Sequence, residues 1–489
     1  MLHKFYDYEK SLPSEKRAAL GIVYTPIEVV EYINKRALAL WDQTDPPRVM
    51  DPCVGTGIFL YDMANRISHR WDMSLDEVYE KCIFGNDVDE EALLIARSLM
   101  PRSNLSACDG LSLNLSEFDI VVTNPPYIRI QNLDDVRRNQ LKNNYDCCKG
   151  DTDIYIAFFE KMMKSGVISG FICPNSWRKN KSSDSLRTLM ANTGRVDTII
   201  DFKSTQIFEN IGTYTSIVVF ADKKIATVQT GSDLINITPA SHQDVFIDDV
   251  VVVDKQEQTF VREVLQREKS VFDMCDIKVG LATLCDAVFF LELISKNKAT
   301  SIVKQKTAGA APFEIENGIL IKCLKGSDIT KNLDKKYVII YPYDRGSKAL
   351  PESHLKEHYP LAFSYLEAHK NRLLKRDKGK KKPYTWHSFG RTQALSLALV
   401  NKVVFSPMIK EKMSFKDCAI NTTFISGYCL VPKEGHSLAA VQEVFSSDEI
   451  KKWIKIFGKN MAAGWIGVSK TTFSKYKLPP SSSTRSSDG

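Results

Sequence analysis

The 489 residues carry eleven cysteines, an odd and scattered number, with no CxxC pair and no Cys/His cluster at zinc spacing. That excludes a disulfide framework and a structural zinc site. The thiols read as the reduced cysteines of a cytosolic protein, and no metal site is expected. The opening "MLHKFYDYEK" is polar and aromatic and lacks the apolar core of a signal peptide. No apolar run approaches the roughly 18 residues that a membrane span needs, so no membrane partner is expected. A phosphate-cradling loop is missing too. The glycine turn "DPCVGTG" has no Gly-Lys-Ser/Thr after it and does not match GxGxxG.

What is present is ordinary in bulk and informative in pattern. Hydrophobic residues make up 43% and charged residues 26%, as in globular domains, and the length suits two cores better than one. The formal charge of +7, from 66 basic and 59 acidic residues, permits a nucleic-acid partner without demanding one. From residue 48 to about 222, short β-rich runs alternate with helical stretches. "RVMDPCVGTGIFL", "KCIFGNDVD", "NLSACDG", "FDIVVTNPPY", "GVISGFICPNSW", "GRVDTIIDF" and "YTSIVVFADKK" supply the strands. Ile154, Tyr155, Phe158, Phe159 and Met162 recur at helical spacing between Asp153 and Lys164. This alternation predicts a parallel sheet covered on both faces, with ligands at the carboxyl ends of its strands. Beyond about residue 255 the alternation fades into short strands, prolines and basic residues, densest at "HKNRLLKRDKGKKKPYTWHSFGRT". Three segments follow: 1–255, 256–480 and a disordered tail over 481–489, where "PPSSSTRSSDG" is low in apolar residues.

The strand ends carry the chemistry. Asp51 precedes the turn of Gly55 and Gly57, where the absent Cβ lets a ligand approach. An acid there repels a pyrophosphate and attracts an ammonium group. Asp87 closes the next strand and is placed to accept both hydroxyls of a ribose; Asp109 closes the third and can accept from an adenine amino group. Each acid alone could equally be a helix cap or a solvated turn. Together they describe a pocket for a nucleoside bearing a cationic amino acid, and S-adenosylmethionine is such a molecule.

The fourth strand ends in Asn124-Pro125-Pro126-Tyr127, with Arg129 just beyond. Two prolines stiffen the loop and remove backbone donors, leaving carbonyls. The Asn124 side-chain oxygen and the Pro125 carbonyl can hold the two hydrogens of a planar exocyclic amine. That favours a tetrahedral nitrogen whose lone pair faces a methyl donor, and Tyr127 offers a flat face for a base. A proline-stiffened turn with a packing tyrosine is the plain structural alternative.

These motifs, in this order, resemble those of the gamma-class N6-adenine DNA methyltransferases of restriction–modification systems. "GIVYTPIEVVEYI" is similar to the family's N-terminal cofactor motif, which implies that Thr25 and Pro26 close over the methionine end. "VMDPCVGTGIFL" resembles the glycine-loop motif, with Cys53-Val54 in place of the usual Ala-Cys; the resemblance implies cofactor contacts from Pro52, Cys53, Val54 and Phe59, and from Pro126 of the catalytic loop. "QIFENIGTYTSIVVF" implies that Phe208 packs against the target base beside Tyr127, with Tyr214 a less suitable substitute. "IKVGLATLCDAVFFL", "CLKGSDI", "WHSFGRTQ", "NKVVFSPMI" and "AAGWIGVSKTTFSKYKLP" resemble a target-recognition domain, although Leu284 stands where the family has Gly after Thr283.

The resemblance therefore implies an α/β chain: a Rossmann-like methyltransferase domain with a seven-stranded, mostly parallel sheet, followed by an α+β target-recognition domain. It implies S-adenosylmethionine as cofactor and double-stranded DNA as substrate, contacted by Arg129, Arg372, Lys375, Arg376 and Arg391. It implies a monomer in the prokaryotic cytoplasm, associated with the nucleoid through DNA, and a separate cognate endonuclease as its counterpart. The same loop is also similar to that of amino-methyltransferases acting on RNA guanine or a protein glutamine, which usually carry their extra domain N-terminally. A non-catalytic relic would usually lose the Asn or the Tyr. With about twenty residues before "GIVYTP" and no PD…ExK pattern, methylation without cleavage is expected.

Overall fold

A computed structural model describes residues 3–480 apart from 14, 18–20, 22, 24, 151, 209–212, 248–249, 332, 334–335, 377–384 and 462–463. The tail 481–489 expected to be disordered, and most of the basic run 375–382, lie outside the described residues. The chain divides into two compact units, Met1–Arg262 and Glu263–Gly489.

The first unit is built on a nine-stranded sheet. Its strands are β1 (Val49–Asp51), β2 (Ile83–Asp87), β3 (Asn104–Ala107), β4 (Ile120–Thr123), β5 (Ile168–Pro174), β6 (Val196–Asp201), β7 (Thr215–Phe220), β8 (Thr227–Gly231) and β9 (Ile237–Ser241). They run in the order β3-β2-β1-β4-β5-β7-β6-β8-β9. The inner pairings β2–β3, β1–β2, β1–β4 and β4–β5 are parallel, whereas β7 lies antiparallel to both β5 and β6. Every residue of β4, β5, β6 and β7 is buried. Such strands must read as near-continuous apolar runs because helices cover both faces, and "IVVT", "ISGFICP" and "TSIVVF" do.

The first seven strands are those expected from the sequence. The hairpin β8–β9 extends the sheet, β8 pairing parallel to β6 and antiparallel to β9. Its strands alternate polar and apolar residues with no long apolar run, so the hydrophobic pattern understates them. The turn between them is held by Asp233, whose carboxylate accepts the backbone N–H of Ile235 at 2.8 Å and of Asn236 at 2.6 Å.

Eight helices matter for the site: α1 (His3–Ser11), α2 (Ile27–Ala39), α3 (Ile58–Trp71), α4 (Leu75–Cys82), α5 (Glu90–Leu99), α6 (Asp135–Asn144), α7 (Tyr155–Ser165) and α8 (Asp184–Thr193). The apolar stripe read from the sequence is the buried face of α7: Tyr155, Phe158, Phe159 and Met162 enter one core. Phe159 meets Phe171, Trp177 and Phe220 with ring centroids at 4.7, 5.2 and 5.7 Å. Burying one such ring stabilises by about 1.5–3 kcal/mol. A second core on the opposite face takes Val29, Val30 and Ile33 of α2 and Phe59, Leu60 and Met63 of α3. Among the described residues, no helix is long and apolar enough to cross a membrane.

The second unit is α+β. A four-stranded sheet orders Cys275–Val279, Tyr428–Pro432, Lys402–Phe405 and Phe415–Cys418. A six-stranded sheet orders Phe313–Glu316, Thr300–Gln305, Phe290–Lys296, Tyr337–Ile340, Leu320–Lys325 and Thr422–Ile425.

At the carboxyl end of β6, Asp201 is buried and pairs with the buried Arg178. The same carboxylate accepts from Asn175 Nδ2 at 2.7 Å and from the backbone N–H of Lys203 at 3.1 Å. Removing the acid strands a buried guanidinium. Asp201→Ala is expected to lower unfolding stability by about 3–5 kcal/mol, read as a shifted midpoint in urea denaturation of the first unit.

Candidate active site

The strand order reverses between β1 and β4, and a twisted sheet opens a crevice at such a reversal. There the structure has a cavity of about 520 Å³. Of the residues expected to hold a cofactor, Thr25, Asp51, Pro52, Cys53, Val54 and Gly55 line it, as do Phe59, Asp87, Asp109 and Pro126. Asn124 lines it as well. Pro26, Gly57, Pro125, Tyr127 and Phe208 are not among its lining residues. Pro26 caps α2, its carbonyl accepting the N–H groups of Val29 and Val30. Gly57 begins α3 at φ 97°, a conformation that costs an L-residue with a Cβ about 1–2 kcal/mol.

The acids serve both as local caps and as cavity wall. Asp51 Oδ1 accepts the N–H of Cys53 at 2.9 Å. Asp87 accepts from Asp89 at 2.9 Å and from Gly55 at 2.7 Å, tying the end of β2 to the glycine turn. Asp109 Oδ1 accepts from Leu111 at 3.0 Å. A carboxylate oxygen has room for a second donor, so capping does not consume these groups. Burial pushes the Asp51 carboxyl up to about 7, against the opposing pull of the Cys53 amide. Burial also raises Asp87, which the Asp89 and Gly55 amides resist. The Cys53 thiol, desolvated beside Asp51 and Asp87, is held well above its usual range and is neutral.

Asn124 is the best-defined group in the site. Its Nδ2 donates to the carbonyl of Val23 and to Thr25 Oγ1, both at 3.0 Å. Its Oδ1 is buried without a hydrogen-bond partner. A carbonyl only accepts, so the Val23 oxygen dictates which end of the amide faces it. The unpaired oxygen is then the end left for a donor from outside the chain. The segment supplying Val23 crosses close to the Asn124–Tyr127 loop: a Cβ on Gly21, at φ +64°, would stand 2.8 Å from the backbone nitrogen of Tyr127. Tyr127 packs between Tyr155 and Phe208, at 6.2 and 6.3 Å between centroids, and its hydroxyl donates to the Ile172 carbonyl at 3.3 Å. Burial holds its phenol well above the usual range.

Some expectations need correction. Phe208 is only 2% exposed, in the core on the α2–α3 face, and buttresses the Tyr127 ring edge-on instead of offering an open face to a base. Arg376 is 5% exposed, and its guanidinium donates to the carbonyls of Leu373, Thr283, Ser388 and Trp386. Those bonds tie the end of the helix Lys370–Leu374 to the loops of Thr283 and of Trp386–Ser388, and they use four of the five guanidinium N–H groups, so Arg376 serves the fold and is not an open surface contact for a phosphate or base. Arg129, Arg372, Lys375 and Arg391 are exposed. Arg372 and Lys375 border a groove of about 720 Å³ with Leu281–Ala287. Leu284 stands at φ 54°, the left-handed conformation that a glycine adopts without strain.

Several lining residues were not foreseen. Phe5, Tyr6 and Tyr8 of α1 face the cavity. The Tyr8 hydroxyl lies 2.7 Å from Asp89 Oδ2 and 3.0 Å from Glu91 Oε2, its one hydrogen shared between the two carboxylates, and Thr56 Oγ1 donates to the Phe5 carbonyl at 2.9 Å. The aromatic density of "FYDY" was the available signal. Val88, directly after Asp87, lines the cavity and is 64% exposed, an apolar face where a base could lie. Phe158 and Arg137 complete that end.

The donor set fits S-adenosylmethionine. Asp51, Asp87, Asp89 and Asp109 line the cavity, and Arg137 is the sole basic residue among its described lining residues. Such a wall disfavours phosphates and favours a ligand carrying positive charge and hydroxyl and amino donors.

Comparison with known proteins agrees. The family model described as Eco57I restriction-modification methylase matches residues 111–208, which take in the Asn124–Tyr127 loop. Type II methyltransferase M.BanIII of Aneurinibacillus aneurinilyticus is 24% identical over 501 residues, spanning 86% of this chain and 82% of that protein. Type II methyltransferase M.HincII of Haemophilus influenzae is 24% identical over 43% of this chain and 38% of that enzyme. Among solved structures, the Type IIL restriction-modification enzyme MmeI in complex with DNA superposes with a TM-score of 0.61 at 12% identity, over 95% of this chain and 69% of that one, a likeness of fold. The chain is thus similar in sequence to restriction–modification methylases and in fold to a restriction–modification enzyme, and its cavity fits S-adenosylmethionine.

Proposed function

We propose that this protein is a site-specific DNA adenine-N6 methyltransferase, the modification enzyme of a restriction–modification system. The observation that carries the reading is the Asn124 amide, with both donors engaged by Val23 and Thr25 and its oxygen buried without a partner. An exocyclic amine is the donor that such an oxygen suits.

Bound S-adenosylmethionine supplies an electrophilic methyl group on a sulfur that leaves as a neutral thioether. The chain's own residues do the rest. Asn124 Oδ1 and the Pro125 carbonyl accept the two N–H bonds of the target amine and draw its nitrogen toward tetrahedral geometry. The lone pair forms the new N–C bond as the C–S bond breaks, and the surplus proton leaves the nitrogen afterwards, so no general base is needed before attack. Tyr127 offers a ring for the adenine to stack on, kept neutral by burial and braced by Phe208. The adenine reaches the loop by flipping out of the duplex, at a cost of a few kcal/mol.

Segment 256–480 acts as the target-recognition domain. Arg372, Lys375 and Arg391 contact double-stranded DNA there, and Arg129 contacts it beside the catalytic loop. Arginine suits both phosphate positioning and guanine reading in the major groove. The enzyme works as a monomer in the bacterial cytoplasm, and a separate endonuclease cuts the same site when it is unmodified.

Incubation with mixed-sequence DNA and methyl-labelled cofactor is expected to yield N6-methyladenine on nucleoside digestion; label confined to cytosine, RNA or protein would contradict the reading. Asn124→Ala is expected to bind S-adenosylhomocysteine like the parent and to lose about 10²–10³-fold in transfer, the usual loss for one oriented polar group at a reacting centre. Thr25→Val removes one of the two acceptors that orient the amide. Its methyl-transfer step is expected to slow about tenfold, equivalent to about 1.4 kcal/mol, read in single turnover at saturating cofactor. The pH dependence follows from Asp51. Burial pushes its carboxyl up to about 7, and the ammonium group of the ligand's amino acid selects the ionised form. The ionised fraction rises from about a tenth at pH 6 to about nine-tenths at pH 8, so S-adenosylhomocysteine should bind about tenfold more tightly at pH 8. Asp51→Asn should flatten that dependence.

A further inference from the structure

The adenine end of the cavity holds an unexpected pair. Arg137, in the first turn of α6, places Nη2 2.5 Å from Asp109 Oδ2. Both side chains are about one-third exposed, 29% and 36%, and both line the cavity. The acid is fixed from its other side, since Oδ1 accepts the N–H of Leu111 at 3.0 Å. The Leu111 carbonyl is held in turn by Lys161 Nζ at 3.0 Å and the Tyr145 hydroxyl at 3.4 Å. The base of Arg137 is also anchored, its N–H donating to Asp134 at 2.8 Å. Its neighbour Arg138 serves a different purpose: it pairs with Asp135 at 2.9 Å and donates to the Leu133 carbonyl at 2.6 Å, inside its own loop. The pair is thus a carboxylate and a guanidinium held side by side on a rigid turn and a helix end.

A carboxylate only accepts hydrogen bonds and a guanidinium only donates them. Side by side they form an acceptor–donor edge. Adenine presents the complement, its exocyclic amine donating next to the ring N1, which accepts. Hypoxanthine presents the reverse, a carbonyl oxygen next to an N–H. It would set oxygen against carboxylate and N–H against guanidinium. Resting on the reading of this cavity as the S-adenosylmethionine pocket, we propose that Arg137 is a specificity-determining residue for the cofactor, reading the adenine base jointly with Asp109. The alternative is that Arg137 merely neutralises an acid in a wall of four aspartates.

Calorimetric binding to the full chain separates the two with three ligands: S-adenosylhomocysteine, its deaminated form S-inosylhomocysteine, and 5′-deoxy-5′-methylthioadenosine, which keeps the adenine and lacks the amino acid. The parent protein is expected to prefer the adenine homocysteine over the inosine one by about 100-fold or more, as sites built around paired hydrogen bonds do. Arg137→Met is expected to weaken both adenine ligands about tenfold and to narrow the adenine–inosine ratio by a similar factor. Arg137→Lys, which keeps a donor, should recover part of that ratio. An unchanged ratio, or an equal loss on adenine and inosine ligands, would overturn the proposal in favour of neutralisation. Weakening of S-adenosylhomocysteine alone, with the methylthio compound unaffected, would overturn it in favour of a carboxylate contact. If the parent binds none of the three, the pocket reading itself fails, a result distinct from binding that ignores residue 137.

Discussion

A parallel sheet covered on both faces can open to ligand only at its ends, and that constraint organises this molecule. β1 pairs with β2 on one side and β4 on the other, and their connections leave in opposite directions. The crevice that results collects the residues just beyond four strand ends: Asp51, Asp87, Asp109 and Asn124. Chemistry spread over 74 positions of chain is brought to one wall by backbone pairing.

Within that frame the site is organised by what each polar group has already spent. The carboxylates cap turns through backbone amides and so hold their positions before any ligand arrives, leaving lone pairs for hydroxyl and amino donors. Asn124 is arranged the other way, with its donors engaged by Val23 and Thr25 and its acceptor unpaired. An unpaired buried acceptor costs about 1–3 kcal/mol in the folded chain. In the function proposed above, that cost is recovered when the target amine donates to the oxygen.

The second unit separates charge that holds the fold from charge that remains available. Arg376 sits in a basic stretch yet spends its guanidinium on four carbonyls. One of these, Thr283, also accepts the N–H of Gly390, so the "GLATL" loop is tied to the "WHSFGRT" loop. Leu284 takes a left-handed conformation within the first of those loops. Arg372, Lys375 and Arg391, nearby in sequence, stay at the surface. Composition could not tell the four basic residues apart, because burial depends on which carbonyls the fold delivers.

Local chemistry was written in the chain itself. Apolar runs long enough for doubly covered strands, the helical stripe of α7, the acids at strand ends and the stiff Asn124–Tyr127 loop all follow from periodicity, proline geometry and residue type. These are short-range properties, and the sheet's first seven strands and the strand-end part of the cavity wall could be read from them. Long-range pairings decided the remainder. The β8–β9 hairpin joins the sheet through a weak pattern that only an available edge on β6 rewards. Phe208 became a buttress because Tyr127 fills the space in front of it. The cover of α1 over the pocket, the hold of Val23 on Asn124 and the meeting of Arg137 with Asp109 each join residues far apart in sequence, and their partners exist only once the backbone has brought them together.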